Sequence, residues 1–233
     1  MILYAPAKVN LHLSILGKRP DGYHNINTIF ERVALFDKIV LRSLPGQKTH
    51  TRGRQGNKTK ISSDNPLVPT GKTSLIYRTI SSLKSYARVS KGIEVKIYKR
   101  IPIAAGLGGG SSDAASVLLG LNKMWNLGLK FPALCKIGKD LGADIPFFLS
   151  KKRYAVAKAR GDEIKPLKWR AKFWHLLVFP PVRLLAKDVY TAYAKTSKKD
   201  RMWLTKDACL NRIVTPSTSL VAYCSIKLSL IHI

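Results

Sequence analysis

The stretch Pro102-Ile103-Ala104-Ala105-Gly106-Leu107-Gly108-Gly109-Gly110-Ser111-Ser112 sets four glycines directly ahead of a helical pattern. After it, Ala114, Val117, Leu118, Leu121 and Trp125 recur at the spacing of a buried helical stripe. Before it, Ile93, Val95 and Ile97 alternate with Glu94, Lys96 and Tyr98, the period of a strand. The order is strand, glycine loop, helix. Backbone N–H groups in such a loop can approach phosphate oxygens with no side chain in the way, and the helix dipole favours the negative charge. Ser111 and Ser112 add hydroxyls that can cap the helix or touch a magnesium ion. The plain alternative, a connector with a serine cap, needs far fewer consecutive glycines.

Two other nucleotide motifs fit less well. A dinucleotide fingerprint wants glycines at 106, 108 and 111, but position 111 is Ser and no acidic residue follows at a suitable distance. Gly71-Lys72-Thr73 looks like the end of a Walker A loop, yet its leading glycine would fall at Pro66.

Upstream, Val9, Leu11, Leu13 and Ile15 alternate with Asn10, His12 and Ser14, so Lys8 and Asn10 share one face of a half-buried strand. Arg19-Pro20-Asp21-Gly22 carries turn chemistry, and Tyr23 and His24 open the next segment, which continues through Ile26 to Val33 as strand or short helix. Residues 43–63 are polar and basic and read as a long surface excursion. Thr73 is the expected cap of a helix reaching about Ala87. Downstream, Pro132 opens a helix stopped by Gly142, which leaves Asp144 at a helix end beside the bend made by Pro146. Tyr154 to Ala157 and Phe173 to Phe179 read as strands. Strands and helices without a regular βαβ alternation predict an α+β fold.

With 45% hydrophobic residues, the 233-residue chain is long enough for one large domain or two small ones. Cys135, Cys209 and Cys224 have neither the number nor the spacing of a disulfide frame or zinc site, which predicts a reducing compartment. No apolar run approaches a membrane span, so a cytoplasmic protein is expected. Lys and Arg total 41 against 13 acids, a net charge of +28 that attracts polyanions. The basic blocks are scattered, at 48–60, 151–153 and 195–201, with no recognition helix, zinc finger or aromatic platform. Solvated loops are favoured over a dedicated nucleic-acid site, and phosphorylated substrates benefit from the same field.

Three segments together carry a more specific reading. They are Pro6-Ala7-Lys8-Val9-Asn10-Leu11 continuing into Gly17 to His24, the loop Pro102 to Ser112 with Asp113-Ala114-Ala115, and Leu141-Gly142-Ala143-Asp144-Ile145-Pro146-Phe147-Phe148. In this order they resemble the GHMP kinases. The first and third are most similar to the branch whose acceptor is a cytidine diphosphate methylerythritol. The resemblance spans residues 1–190 and implies a two-lobed fold, with an ATP-binding domain over 1–150 and a partial C-terminal domain over 151–233 that diverges after about 200. It implies ATP and Mg2+ as cofactors, and Lys8 and Asp144 as the catalytic pair. Asp144 would accept the hydroxyl proton, while Lys8 would keep Asp144 ionised and offset charge on the phosphoryl group. Residues Pro102 through Ser112 would hold ATP, with Lys99 beside the adenine. Asn10, Tyr23, His24 and Tyr190 would hold the acceptor, Tyr23 and His24 at the cytosine.

The family also carries a second Gly-Ser-Gly-rich loop near its C-terminus. Here the residues from Arg201 to Ile233 contain no glycine, which implies a truncated or divergent end. Two alternatives follow: a kinase for another small alcohol, such as homoserine or mevalonate, and an impaired domain that binds nucleotides or polyanions.

Overall fold

The computed structural model describes residues 1–44 and 58–179, and the backbone of 220–224. Its elements are β1 (Ile2–Lys18), β2 (His24–Leu44), β3 (Thr59–Ser63), α1 (Leu75–Ala87), β4 (Gly92–Tyr98), α2 (Gly109–Met124), α3 (Phe131–Lys139), α4 (Ile145–Leu149), β5 (Tyr154–Lys158), β6 (Glu163–Leu167), β7 (Trp174–Val178) and β8 (Leu220–Cys224). The chain forms two compact units that interleave in sequence. Strands β1 and β2 each contribute residues to both.

The first unit comprises Met1–Ala7, Ala34–Ile103 and Gly109–Lys151. In it the second half of β2 pairs antiparallel with β4, Lys38 opposite Tyr98 through Leu44 opposite Gly92, and β3 pairs parallel with β4. The parallel pair is joined through α1, a single βαβ crossover inside a mixed arrangement. The α+β class holds. The alternation read over 93–97 puts Ile93, Val95 and Ile97 in the core with Ile39 and Leu41 of β2, all fully buried. Helix α2 closes this core with Val117, Leu118 and Leu121, and Trp125 is buried just past its end.

Two local expectations change. The cap of α1 is Ser74 rather than Thr73: its extended backbone lets Oγ accept from the N–H of Tyr77. The polar stretch 43–63 is bounded by strands, since β2 reaches Leu44 and β3 occupies Thr59–Ser63; residues 45–57 lie outside the described set.

The second unit comprises Lys8–Val33 and Ala104–Gly108, with 152–179 and 220–224 among the later described residues. Of the two conformations compatible with the sequence over 26–33, the chain takes the strand: the first half of β2 pairs antiparallel with β5, which pairs with β6. Strands β7 and β8 pair parallel. Glu31 is fully buried here: Oε1 accepts from Arg153 and lies 2.8 Å from the Tyr154 hydroxyl, while Oε2 lies 2.9 Å from His175 Nε2. These partners hold the Glu31 carboxyl below its ordinary range against the opposing effect of burial, which is the largest single influence.

Candidate active site

Within the glycine segment, Ala104, Gly106 and Gly108 all take the left-handed conformation, with φ of 58°, 70° and 68°. Alternate left-handed residues bring successive N–H groups toward one side, as in anion-binding nests. At Gly106 and Gly108 a side chain would be strained, which explains their identity. Ala104 bears that strain itself, about 1–2 kcal/mol. The sixteen-residue helix α2 begins at Gly109, immediately after this turn. Of its serines, Ser111 is half-buried, whereas Ser112 is fully buried with Oγ lacking a hydrogen-bond partner among the described residues.

In the second unit the loop is tied to the early strand: the N–H of Lys8 donates to the carbonyl of Leu107 at 2.9 Å. Lys8 is not the solvent-facing strand residue that its charge alone would allow. It is 6% exposed, its Nζ donates to Asn10 Oδ1 at 2.6 Å, and it stands 5.0 Å over the Phe30 ring. Asn10 donates onward to Thr28 Oγ1 at 2.7 Å, and Thr28 Oγ1 donates to the His12 carbonyl. The shared strand face read from the alternation thus becomes a hydrogen-bonded row. Thr28 carries no signal of this in the sequence, where it reads as an ordinary strand residue.

Tyr23 and His24 follow the turn. Arg19 bonds Asp21, and Asp21 Oδ1 accepts the N–H of Tyr23 at 3.1 Å, an Asx-type closure that leaves the Tyr23 side chain outward. Tyr23 is 55% exposed, with the Arg160 guanidinium 5.2 Å from its ring centre. Arg160 is a second residue that the sequence does not mark, since it lies far away in the chain. Partial burial, with the Lys18 charge second, lowers the His24 pKa below its usual value and favours the neutral ring. Tyr190 lies outside the described residues.

In the first unit Asp144 is half-buried and occupies the cap position of α4, whose opening turn contains Pro146. The segment ahead of it packs against the start of α2: a methyl group on Gly142 would stand 3.4 Å from Ser111 Oγ. The expected proximity of Asp144 to a bend holds, though the residue begins a short helix instead of ending a long one, because α3 already stops at Lys139. Lys99 sits with its side chain 6% exposed, its Nζ bonded to Asp37 Oδ2 and, at 2.7 Å, to Asp113 Oδ2. Motif and periodicity alone give neither carboxylate a place in an ion cluster. Among the described residues no group of three or more His, Cys, Asp or Glu is placed to hold a metal ion, and no helix is long and apolar enough to cross a membrane.

The glycine turn and the helix it enters lie within residues 74–152, which match the model of the GHMP kinases N terminal domain. The chain is 43% identical over 190 residues to the 4-diphosphocytidyl-2-C-methyl-D-erythritol kinase of Geobacter sp. (strain M21), covering 81% of this chain and 63% of that relative. It is 38% identical over 198 residues to the enzyme of the same name from Syntrophotalea carbinolica, covering 85% and 67%. A crystal structure of 4-(cytidine 5'-diphospho)-2C-methyl-D-erythritol kinase superposes with a TM-score of 0.62 at 35% identity, over 82% of this chain and 64% of that one. The mevalonate kinase of Methanococcus jannaschii, at 16% identity and a TM-score of 0.60, shares the fold. The chain belongs to the 4-diphosphocytidyl-2-C-methyl-D-erythritol kinase family. It spans somewhat less than two thirds of the length of the Geobacter relative.

Proposed function

We propose that the chain transfers the γ-phosphoryl group of ATP to the 2-hydroxyl of 4-diphosphocytidyl-2-C-methyl-D-erythritol, giving the 2-phosphate and ADP, in the cytoplasm and in isoprenoid biosynthesis. The observation that carries this reading is the glycine turn with three left-handed residues leading into the N-terminus of α2. Residues 102–112 cradle the phosphates through backbone N–H groups, and Lys99, whose ammonium is held inside, borders the adenine through its main chain. Ser111 Oγ and Ser112 Oγ, the latter without a hydrogen-bond partner among the described residues, are the oxygen donors this segment would offer a magnesium ion, which would offset the phosphate charge.

Asp144 takes the proton from the acceptor hydroxyl, and Lys8 counters the negative charge of the transferring phosphoryl group. Burial of Lys8 strengthens that charge interaction relative to water. Asn10, fixed by Lys8 and Thr28, orients the methylerythritol end. Tyr23 stacks on the cytosine, His24 hydrogen-bonds it as a neutral ring, and Tyr190 supplies the opposite face. Residues 1–150 form the ATP-binding domain, in keeping with a family match that ends at 152, and 151–233 form a partial C-terminal domain.

The test is coupled ADP release with this acceptor. Asp144→Asn and Lys8→Ala are expected to lower kcat by about 10²-fold or more, with nucleotide binding retained. Undiminished turnover in either variant refutes the role assigned to that residue.

A further inference from the structure

The start and the end of the glycine segment are fastened to one buried ionic cluster. On entry, the N–H groups of Arg100 and Ile101 donate to Asp37 Oδ1 at 2.6 and 2.8 Å, and the N–H of Lys99 donates to Asp64 Oδ1 at 2.8 Å. On exit, Asp113 in the first turn of α2 receives Lys99 Nζ, which also bonds Asp37 Oδ2. Asp37 is fully buried and Asp113 is 3% exposed. The ammonium is pressed against the helix start, since a methyl group on Gly109 would lie 3.0 Å from Lys99 Nζ and from Ile101 Cγ2.

We infer that Asp37 and Asp113, joined through Lys99, are positioning residues that hold the two ends of the glycine segment at a fixed separation, so that its N–H groups are prealigned for a nucleotide triphosphate. The geometry resembles a staple. Strand β2 supplies one side through Asp37, and Lys99 spans from it to the first turn of α2 through Asp113. Buried ion pairs add little net stability, because desolvation offsets their attraction. What they do well is fix one arrangement among several, and hydrogen bonds to ionised groups are the strongest available for that purpose. Prealigned donors need no reorganisation when the anion arrives. None of these three side chains needs to touch the nucleotide for this role.

The staple rests on the loop being a phosphate site, and two readouts separate the claims. Hydrogen exchange of the nucleotide-free protein is compared for wild type, Asp113→Ala and Asp37→Asn. Faster exchange confined to residues 100–113 is expected, at 106–113 in both variants and also at Arg100 and Ile101 in Asp37→Asn, with the later turns of α2 unchanged. Binding of a fluorescent ATP analogue is then expected to weaken by about tenfold in Asp113→Ala, and less in Asp37→Asn, which keeps an acceptor oxygen. Unchanged exchange and affinity in both variants would overturn the staple. So would faster exchange throughout the helices of the unit, or failure of both variants to fold, since each points to a general structural role. A wild-type protein that binds no ATP analogue removes the phosphate reading and with it the purpose of the staple, while the exchange comparison still decides whether the three residues restrain the loop.

Discussion

Gly109→Ala offers a sharp perturbation of the loop's base. The new methyl would meet Lys99 Nζ and Ile101 Cγ2 at 3.0 Å and Ile101 Cβ at 3.3 Å, tighter than ordinary contact. The ammonium cannot retreat freely, because Asp37 and Asp113 hold it from two sides. Forcing an extra methyl into such packing costs about 1–3 kcal/mol. Replacing glycine in a helix returns up to about 1 kcal/mol, less in the first turn. The expected net loss is about 1–2 kcal/mol. Gly110 is the control, since its added methyl would meet only Leu75 Cδ2 at 3.9 Å. Gly110→Ala should therefore be neutral or slightly stabilising. Urea unfolding of the two nucleotide-free variants, followed by circular dichroism, measures the difference. A Gly109→Ala protein as stable as Gly110→Ala would refute the packing argument and with it the tightness assigned to the Lys99 cluster.

Glu31, whose folded pKa lies below its ordinary 4.5, contributes stability that is present above 4.5 and lost as pH falls through the lower folded value; Glu31→Gln should remove that part of the acid dependence of Tm. Asp113 behaves oppositely, because burial raises its carboxyl from 3.8 to about 7. The folded state then binds the extra proton, so stability declines as pH rises from 3.8 to about 7, and Asp113→Asn should flatten this slope in Tm measured in metal-free buffer. Tyr23→Ala should raise KM for the cytidine-bearing acceptor by about tenfold while leaving KM for ATP unchanged; equal effects on both would count against the stacking role.

The parts of the molecule that are legible in the sequence are those whose signal is local. Period-two alternation at Val9 to Ile15 and Ile93 to Ile97 becomes strands, and the helical stripe after the glycines becomes α2. Four glycines before a helix can be read as a phosphate loop because their backbone freedom is a property of residue type. What escapes such reading depends on contacts between distant positions. Strand β6, with Pro166 and the exposed charges Glu163 and Lys165, has no sustained alternation to reveal it and forms because β5 offers a pairing edge. Lys99 looks like a surface lysine ahead of a loop, and only the pairing of β2 with β4 brings Asp37 to it.

The scarcity of acids supplies the missing signal. Against 41 basic residues the chain has 13 acids, so a carboxylate inside an apolar context has no shortage of partners but a high cost if left alone. Glu31, Asp37, Asp113 and Asp162 are all buried, and each has a basic partner: Arg153 for the first, Lys99 for the next two, Arg160 for the last. Asp37 follows Phe36 and stands two residues before the buried Ile39, a place where a solvated charge is not expected. In so basic a chain, an acid within an apolar strand marks a buried ion cluster more reliably than any lysine does, because the excess of lysines makes each one uninformative. At the glycine loop, Asp113 and Asp37 are the residues that point to Lys99: the glycines give the backbone its shape, and in the arrangement proposed above the cluster removes the freedom they bring.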